Sequence, residues 1–244
     1  MLAAAMGHGT IAVRRRPVVA ILATGDELVP PGVSPGPDQI IASNSFGLAA
    51  LAAAAGAEPR LLGIAADTHA ALAERLAAAE GADVLVTTGG ASVGDHDLVA
   101  PALKKRGMEL DFWKIAMRPG KPMLFGRLGT QRVLGLPGNP VSALICGRVF
   151  LVPLIERLLG KSAPAAGSVE AALTAPLEKN GPRQHYMRAE LSRGPAGERR
   201  VTPHLSQDSS LMAPLAAANA LIVRPPGAAA ECAGATVTVL PMDF

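Results

Sequence analysis

The chain has 244 residues and a mass of 24.9 kDa, which suits one large domain or two small ones. Hydrophobic residues make up 49% and charged residues 18%, so the chain can bury a sizeable core and wholesale disorder is not expected. Aromatic residues make up only 3% and the formal net charge is +3, which argues against an aromatic platform or a basic surface for nucleic acid.

The cysteines and the apolar runs indicate the compartment. Cys146 and Cys232 match no metal-ligand or redox spacing, which is typical of a reduced setting. No apolar run reaches the ~18 residues that a membrane helix needs, and residues 1–6 lack the basic start of a signal peptide. We therefore expect a soluble, cytoplasmic protein without a membrane or nucleic-acid partner.

The first two-thirds of the chain alternate apolar runs with helical stretches. The predicted strands are 18–23, 60–64, 83–88, 110–115, 123–125 and 132–136. The predicted helices are 44–55 with Asn44 as its cap, one that begins at Asp67 and Thr68 and ends at Gly81, 97–106, and 141–159. Consecutive apolar residues in 83–88 favour a strand buried on both faces, and the alternation predicts a Rossmann-like, three-layer α/β domain with a mostly parallel sheet over 17–160.

The composition changes after Gly160. Residues 161–167 are rich in Ala, Pro, Ser and Gly and predict a linker. Short strands are predicted at 169–174, 185–191, 199–202, 221–223 and 236–240, so residues 168–244 are expected to form a small all-β domain. Residues 1–16 are too few for a domain and are interpreted as the remnant of a preceding one.

Three acidic residues follow the first three predicted strands. Glu27, Asp67 and Asp97 are spaced by about one strand–helix unit each, so their carboxylates are expected to meet at the carboxyl edge of the sheet. Carboxylates are hard ligands suited to Mg²⁺ bound together with substrate phosphates. The simpler explanation makes Asp67 only a helix cap and Glu27 only a solvated loop residue.

A glycine-rich segment, residues 87–97, follows the third strand and precedes a helix. Glycines there let backbone amides approach an anion closely, and Ser92 adds a hydroxyl. The segment is neither a dinucleotide fingerprint nor a P-loop, which disfavours nicotinamide and ordinary nucleotide triphosphatase chemistry. His96 is interpreted as a loop residue. The candidate anion-binding residues are Gly89, Gly90, Ser92 and Gly94.

Two further segments place polar groups near the same edge. Lys114, Arg118 and Lys121 lie within eight residues of each other and could attract phosphate or an oxyanion, or else form only a positive solvated rim. Asn139 and Pro140 predict a helix start, and the candidates around it are Pro137, Gly138, Asn139, Pro140 and Ser142. In the β region, Arg183, Arg188 and residues 206–210 are polar, and the default interpretation is that they are surface residues without a functional role.

Four of these motifs together resemble the molybdopterin molybdenumtransferase family, known as MoeA in bacteria and as the E domain of gephyrin in animals. The matching segments are Thr24-Gly25-Asp26-Glu27-Leu28, residues 89–97, Arg118-Pro119-Gly120-Lys121-Pro122 and Leu136-Pro137-Gly138-Asn139-Pro140-Val141-Ser142. The resemblance covers essentially the whole chain and is most specific over residues 17–160. It implies a molybdopterin-binding α/β fold followed by a β-barrel-like C-terminal domain.

The resemblance also implies an activity and a set of residue roles. The family converts adenylylated molybdopterin and molybdate to molybdenum cofactor with release of AMP and with Mg²⁺, as a cytosolic homodimer, and the molybdopterin adenylyltransferase is a candidate partner. It makes Glu27, Asp67 and Asp97 the active-site acids and metal ligands, and Lys114 and Arg118 the active-site cations. Thr24, Gly25 and Asp26 join the substrate-binding residues, and Arg188, Ser209 and Ser210 are carried over as anion ligand and serine loop.

The sequence departs from the family in two respects. Arg118 stands where family chains often have Lys, which keeps the charge but changes geometry and hydration. Family members also carry two further domains ahead of this region. Two alternatives therefore stay open: a molybdopterin adenylyltransferase, whose family usually lacks the C-terminal β domain, and a shortened chain that binds molybdopterin without turnover.

Overall fold

A computed structural model describes residues 1–89, 98–162 and 167–242. The strands are, in chain order, β1 (Val18–Thr24), β2 (Leu28–Val29), β3 (Ile40–Ile41), β4 (Glu58–Ala65), β5 (Val84–Thr88), β6 (Glu109–Trp113), β7 (Met117–Arg118), β8 (Leu124–Leu128), β9 (Gln131–Leu136), β10 (Val169–Leu173), β11 (Gln184–Arg193), β12 (Arg199–Pro203), β13 (Ala220–Arg224) and β14 (Thr236–Pro241). The helices are α1 (Leu2–Ala5), α2 (Asn44–Ala54), α3 (His69–Ala77), α4 (Val99–Lys105), α5 (Pro140–Cys146), α6 (Val152–Leu158) and α7 (Met212–Ala216), and a π-helical turn (Gly147–Leu151) joins α5 to α6. In the described ranges, none of these helices has the length and apolarity to cross a bilayer.

The first sheet has the strand order β4-β1-β5-β9-β8-β6. Its first four strands run parallel, while β8 is antiparallel to β9 and β6 is antiparallel to β8. Alternate residues of β1 enter different cores: Val19 and Ile21 pack with α2 and α5, and Ala20 and Leu22 pack with α3 and α4. A strand buried on both faces is what a run of consecutive apolar residues predicts, so the mostly parallel three-layer fold is confirmed.

The second sheet follows the order β12-β10-β14-β13-β11-β7, and an additional pairing between β12 and β11 closes it into a barrel-like ring. The interior is apolar, with Leu173, Val201 and Val239 fully or almost fully buried. The small β domain expected after the linker is therefore present in the described residues.

One strand of this second sheet comes from the middle of the chain. β7 pairs in parallel with the start of β11, with Met117 opposite Gln184 and Arg118 opposite His185. Around it, Cys146 shares a buried cluster with Leu221 of β13. The two parts of the molecule are thus joined by a sheet edge and a common core as well as by the connecting segment.

Two predicted helices differ from the structure in detail. Ser43 rather than Asn44 precedes the first turn of α2; Asn44 is the first residue of the helix, and its side chain is engaged with a distant loop. The single helix predicted over 141–159 is divided by the π-helical turn, which lies where α2 packs against the helix. A Cβ on Gly147 would lie 2.7 Å from a methyl carbon of Leu48, so this position accepts only glycine at that spacing.

Candidate active site at the carboxyl edge of the sheet

The loops that follow β1, β4, β5 and β9 meet at one edge of the first sheet. The amide of Gly25 donates to the carbonyl oxygen of Ala65 at 3.3 Å, and the amide of Asp67 donates to the Asp26 carboxylate at 2.9 Å. These bonds join the loop after β1 to the loop after β4. The structure therefore brings two of the three predicted acidic loops together, and the third acid, Asp97, lies outside the described residues.

A cavity of about 500 Å³, called here the edge cavity, opens at this edge. Ala23, Leu28, Ile40, Ile41 and Ala42 give it an apolar wall. The predicted site residues that line it are Thr24, Glu27, Gly89, Gly138, Asn139, Pro140 and Ser210. The volume suits a small organic ligand, for which cavities of about 300–1,000 Å³ are usual.

The floor of the edge cavity is bare backbone. Gly89 has φ +86°, and a Cβ at this position would lie 2.3 Å from the carbonyl oxygen of Thr24. A Cβ on Gly138 would lie 3.5 Å from the Cα of Gly89, so the two glycine segments are stacked. Glycine at residue 89 is thus required by both conformation and space, and the main chain is accessible to a ligand here.

Asn139 begins α5 in the way that the sequence predicts. It precedes Pro140 at the first helical position, yet its side chain makes no capping hydrogen bond. Its Oδ1 atom is buried and has no hydrogen-bond partner among the described residues. A buried acceptor without a donor at the wall of a cavity is suited to an N–H or O–H group of a ligand.

A second cavity of about 380 Å³, called here the cationic cavity, lies beside the first. The predicted residues at its wall are Arg118, Lys121, Ser142 and Ser209. Arg183, which the sequence analysis interpreted as a surface residue without a functional role, also lines it. No local pattern marks Arg183; it reaches this wall because β11, which follows it, pairs with the strand that carries Arg118.

The positive charge around the cationic cavity affects a neighbouring histidine. His185 is buried on β11, opposite Arg118. Burial, and then the charges of Arg118, Arg183, Arg188 and Arg224, lower the pKa of His185 to about 4. The imidazole is therefore neutral at pH 7, and the cations of the cavity wall come from arginine and lysine.

Cys146 lies beneath the turn that carries Arg118 and Lys121. Gly120 of this turn has φ +115°, and a Cβ on it would lie 2.4 Å from the Cys146 Sγ atom. Burial raises the pKa of the Cys146 thiol to about 12, so the group stays protonated. Cys146 thus acts as a buried packing group against which the turn at Gly120 rests.

Several predicted residues are not among those that line the two cavities. Lys114 has φ +67° and places its Nζ 4.4 Å from the centre of the Trp113 ring. Arg188 is 1% exposed and donates to carbonyl oxygens of residues 206–211. Pro137 is buried directly before Gly138. Gly90, Ser92 and Gly94, like Asp97, lie outside the described residues.

A metal at the edge cavity would need carboxylates from several loops. Glu27 lines the cavity and folds back over Gly25, while the exposed carboxyl group of Asp67 belongs to the adjoining loop. Across residues 1–89, 98–162 and 167–242, no three His, Cys, Asp or Glu side chains form a group able to hold a metal ion. The two described acids have the hard oxygen donors that Mg²⁺ prefers, and the predicted third ligand is Asp97.

Comparison with known proteins agrees with both parts of this architecture. Residues 20–157 match the family described as the probable molybdopterin binding domain, and residues 170–242 match the MoeA C-terminal region (domain IV). The chain is 36% identical over 243 residues to the molybdopterin molybdenumtransferase of Bacillus subtilis, covering 98% of this chain and 56% of that protein. It is 35% identical over 244 residues to the enzyme of the same name from Haemophilus influenzae, covering 99% of this chain and 60% of that protein.

A crystal structure of the molybdopterin biosynthesis MoeA protein from Pyrococcus horikoshii superposes with a TM-score of 0.80 at 29% identity. The match covers 94% of this chain and 55% of that one. The chain thus spans less than two thirds of the length of these relatives. On its sequence, fold and domain matches, it belongs to the molybdopterin molybdenumtransferase (MoeA) family.

Proposed function

We propose that this chain carries the site at which molybdate is inserted into adenylylated molybdopterin with release of AMP. The observation that carries the proposal is the pair of neighbouring cavities, one with a glycine floor and apolar wall, the other lined by three cations and one acid, Asp208. Ser209 lines one cavity and its neighbour Ser210 lines the other, so ligands in the two would lie side by side. The names of the relatives, and the domain matches, support the same reaction.

The cationic cavity suits a small tetrahedral oxyanion. Arg118 and Arg183 offer forked donors, while Lys121 offers a compact charge. The hydroxyl groups of Ser142 and Ser209 add neutral donors. Asp208 also lines the cavity, but its carboxylate accepts from the amide and the hydroxyl of Ser210, and the three cations outnumber it. The donor set therefore matches molybdate, a dianion with four oxygen acceptors, better than a carboxylate or a neutral ligand.

The edge cavity suits the phosphate ester. Backbone at Gly89 and Gly138 permits close approach of the phosphates, and the apolar wall accommodates a ring system. Holding the ester beside molybdate converts a bimolecular encounter into a step between neighbours. Two Mo–S bonds form while one Mo–O bond breaks, and that oxygen leaves with the two thiol protons as water. One water is consumed when the phosphoanhydride bond is split to AMP and the molybdopterin phosphate.

Magnesium belongs to the proposal as a cofactor. Glu27, Asp67 and Asp97 would hold it through carboxylate oxygens, with Asp26 fixing the loop that contains Asp67. Bound there, Mg²⁺ would neutralise charge that develops on the AMP phosphate. A cytoplasmic homodimer, and the molybdopterin adenylyltransferase as a partner that supplies the ester, complete the proposal and rest on the family resemblance.

The test is a turnover assay with the purified chain, adenylyl-molybdopterin and molybdate, with AMP release as the readout. We expect release to depend on molybdate. Arg183→Gln is expected to raise the molybdate concentration for half-maximal release by about 10- to 100-fold, because a charged hydrogen-bond donor is lost. Arg193→Gln, at an exposed arginine at the far end of the strand that follows Arg183, is the control and is expected to change nothing.

Three results would overturn the proposal. AMP release that does not require molybdate would exclude insertion as the reaction. Adenylylation of free molybdopterin by ATP would indicate the adenylyltransferase alternative. Tight binding of the ester without any release would indicate a molybdopterin-binding protein that has no turnover in this form.

A further inference from the structure

Residues 206–211, called here the serine loop, separate the two cavities. Ser209 lines the cationic cavity and Ser210 lines the edge cavity. Ser209 and Ser210 lie in a turn, and the Ser210 hydroxyl donates to the Asp208 carboxylate at 2.8 Å. A single short loop thus supplies one serine to the wall of each cavity. A displacement of this loop would therefore alter both cavities at once.

The side chain of Arg188 makes hydrogen bonds to the main chain of the serine loop. Arg188 lies on β11, is 1% exposed, and lines neither cavity in the part of the chain that the structure describes. One terminal nitrogen of its guanidinium donates to the carbonyl oxygens of Ser206 at 3.0 Å and Asp208 at 2.9 Å. The other donates to the carbonyl oxygen of Leu211 at 3.1 Å. The three acceptors lie at the start, middle and end of the loop.

Gln207 ties the loop to the main chain of Arg188. Its side-chain oxygen accepts from the Arg188 amide at 2.9 Å, and its Nε2 donates to the Arg188 carbonyl oxygen at 3.0 Å. The same Nε2 donates to the carbonyl oxygen of His204 at 2.9 Å. The side chain of Gln207 thus makes with the main chain of Arg188 the two hydrogen bonds that a neighbouring strand would otherwise make. These bonds fix the loop to β11, the strand that carries Arg188.

The chemistry of these contacts distinguishes a residue that supports a loop from a residue that binds an anion. A buried guanidinium must satisfy its donors, and here carbonyl oxygens of the loop do so. Its planar fork fits several fixed acceptors together, which a lysine ammonium on a flexible stem does not reproduce. The charged residues that line the cationic cavity are Arg118, Lys121, Arg183 and Asp208, and Arg188 is not among them.

We propose that Arg188 is a positioning residue that sets the serine loop, and through it Ser209 and Ser210, in both cavities at once, and that it is not an anion ligand. The assignment of ligands to the two cavities rests on the proposed function. The contact between Arg188 and the loop does not, so the two can be tested separately.

The first measurement is amide hydrogen exchange of the serine loop in the full chain without ligands. Arg188→Met keeps an unbranched apolar stem but removes the donors, and Arg188→Lys keeps the charge but not the fork. Both are expected to accelerate exchange in residues 206–211 by about 10- to 100-fold, the range for loss of hydrogen bonds from a charged donor. Arg183→Met and the exposed Arg193→Met are expected to leave this exchange unchanged.

The second measurement is equilibrium binding of inorganic molybdate and of AMP as separate probes. Both Arg188 variants are expected to weaken both probes, since both cavities share the loop. Arg183→Met is expected to weaken molybdate alone. Should Arg188→Met fail to fold, Gln207→Ala is the substitute, and it is expected to accelerate exchange of the same segment.

The outcomes separate the two proposals. Unchanged loop exchange in Arg188→Lys together with normal molybdate binding would show that charge is what matters, and it would overturn the positioning role. Loss of molybdate binding alone in Arg188→Met, with a protected loop, would do the same. If the unsubstituted chain binds neither probe, the proposed function fails, while the exchange data still decide the role of Arg188.

Discussion

The side-chain amide of Asn44 donates a hydrogen bond to the carbonyl oxygen of Gly138 at 2.6 Å, although the two residues belong to different strand–helix units. The bond ties the first turn of α2 to the loop before α5, and both residues line the edge cavity. Asn44 is the first residue of α2, and its side chain is used for this contact between two units.

Asn44→Ala is expected to lower the free energy of unfolding by about 1 kcal/mol, the usual contribution of one such hydrogen bond. Urea unfolding measures the change. Ser43→Ala is the matched control, because Ser43 precedes the same helix without a side-chain capping bond. If the two variants lose equal stability, the bond to Gly138 contributes nothing.

Gly89→Ala is expected to be more damaging than Gly63→Ala. Both glycines have positive φ, +86° and +79°, so alanine costs about 1–2 kcal/mol of backbone strain at each. A Cβ on Gly63 has nothing within 4 Å, whereas on Gly89 it lies 2.3 Å from the Thr24 carbonyl oxygen. We expect a further loss of about 1–3 kcal/mol for Gly89→Ala, measured by urea unfolding. Equal losses would mean that the close approach to Thr24 relaxes freely.

Gly120 and Cys146 are expected to be coupled. Gly120→Ala directs a methyl group at the Cys146 Sγ atom, and Cys146→Ala removes that atom. In a double-mutant cycle, the cost of Gly120→Ala should fall by about 1–3 kcal/mol when residue 146 is alanine, while the strain from φ +115° remains. The unfolding free energies of the four proteins give the coupling. Strict additivity would contradict the contact.

Asp83 is expected to make stability depend on pH. Its carboxylate accepts from Arg15 at 2.6 Å and 2.7 Å and from the Val18 amide at 2.7 Å. The hydrogen bond from Arg15 is the main cause that holds the pKa of Asp83 below its ordinary value of 3.8. The stabilisation is therefore fully present above pH 3.8 and is lost as the pH falls through the lower, folded-state pKa.

Asp83→Asn should accordingly lower the free energy of unfolding by about 1 kcal/mol at pH 7, mainly through the weaker bond to the Val18 amide, because Arg15 is 69% exposed. Urea unfolding at several pH values should show the difference from the unsubstituted chain shrinking below about pH 4. Asp111→Asn, which removes an exposed pair with Arg127, is the control and should cost at most about 0.5 kcal/mol. A difference that grows on acidification would contradict this interpretation.

The sequence predicts those elements whose patterns are local. The consecutive apolar residues of β5 predict a strand buried on both faces, and the structure confirms it. Thr68 is predicted as a helix cap and accepts from the Ala71 amide at 3.2 Å. In both cases the determining residues lie within a few positions of each other, so one stretch of sequence contains the signal.

The parts that the sequence does not predict depend on distant pairing. Met117 and Arg118 form too short a strand to leave a pattern, and their partner in β11 follows more than 60 residues later. Arg188 has the neighbours of a surface arginine, and it is buried only because the serine loop folds over it. Arg183 becomes part of a site for a similar reason, since β11, which begins directly after it, pairs with β7.

The strand β7, which belongs to the second sheet but lies in the middle of the chain, has a consequence for how the protein folds during its own translation. All strands of the first sheet end by Leu136, so that sheet can form on the ribosome before the second sheet has been translated. The cationic cavity cannot, because Arg118 and Lys121 are translated before Leu136, while Arg183 and Ser209 are translated well after it. Any affinity that depends on this cavity is therefore acquired only after Ser209 has been translated. A chain released before that point would contain Gly89 and Gly138 at the floor of the edge cavity but would lack the complete cationic cavity.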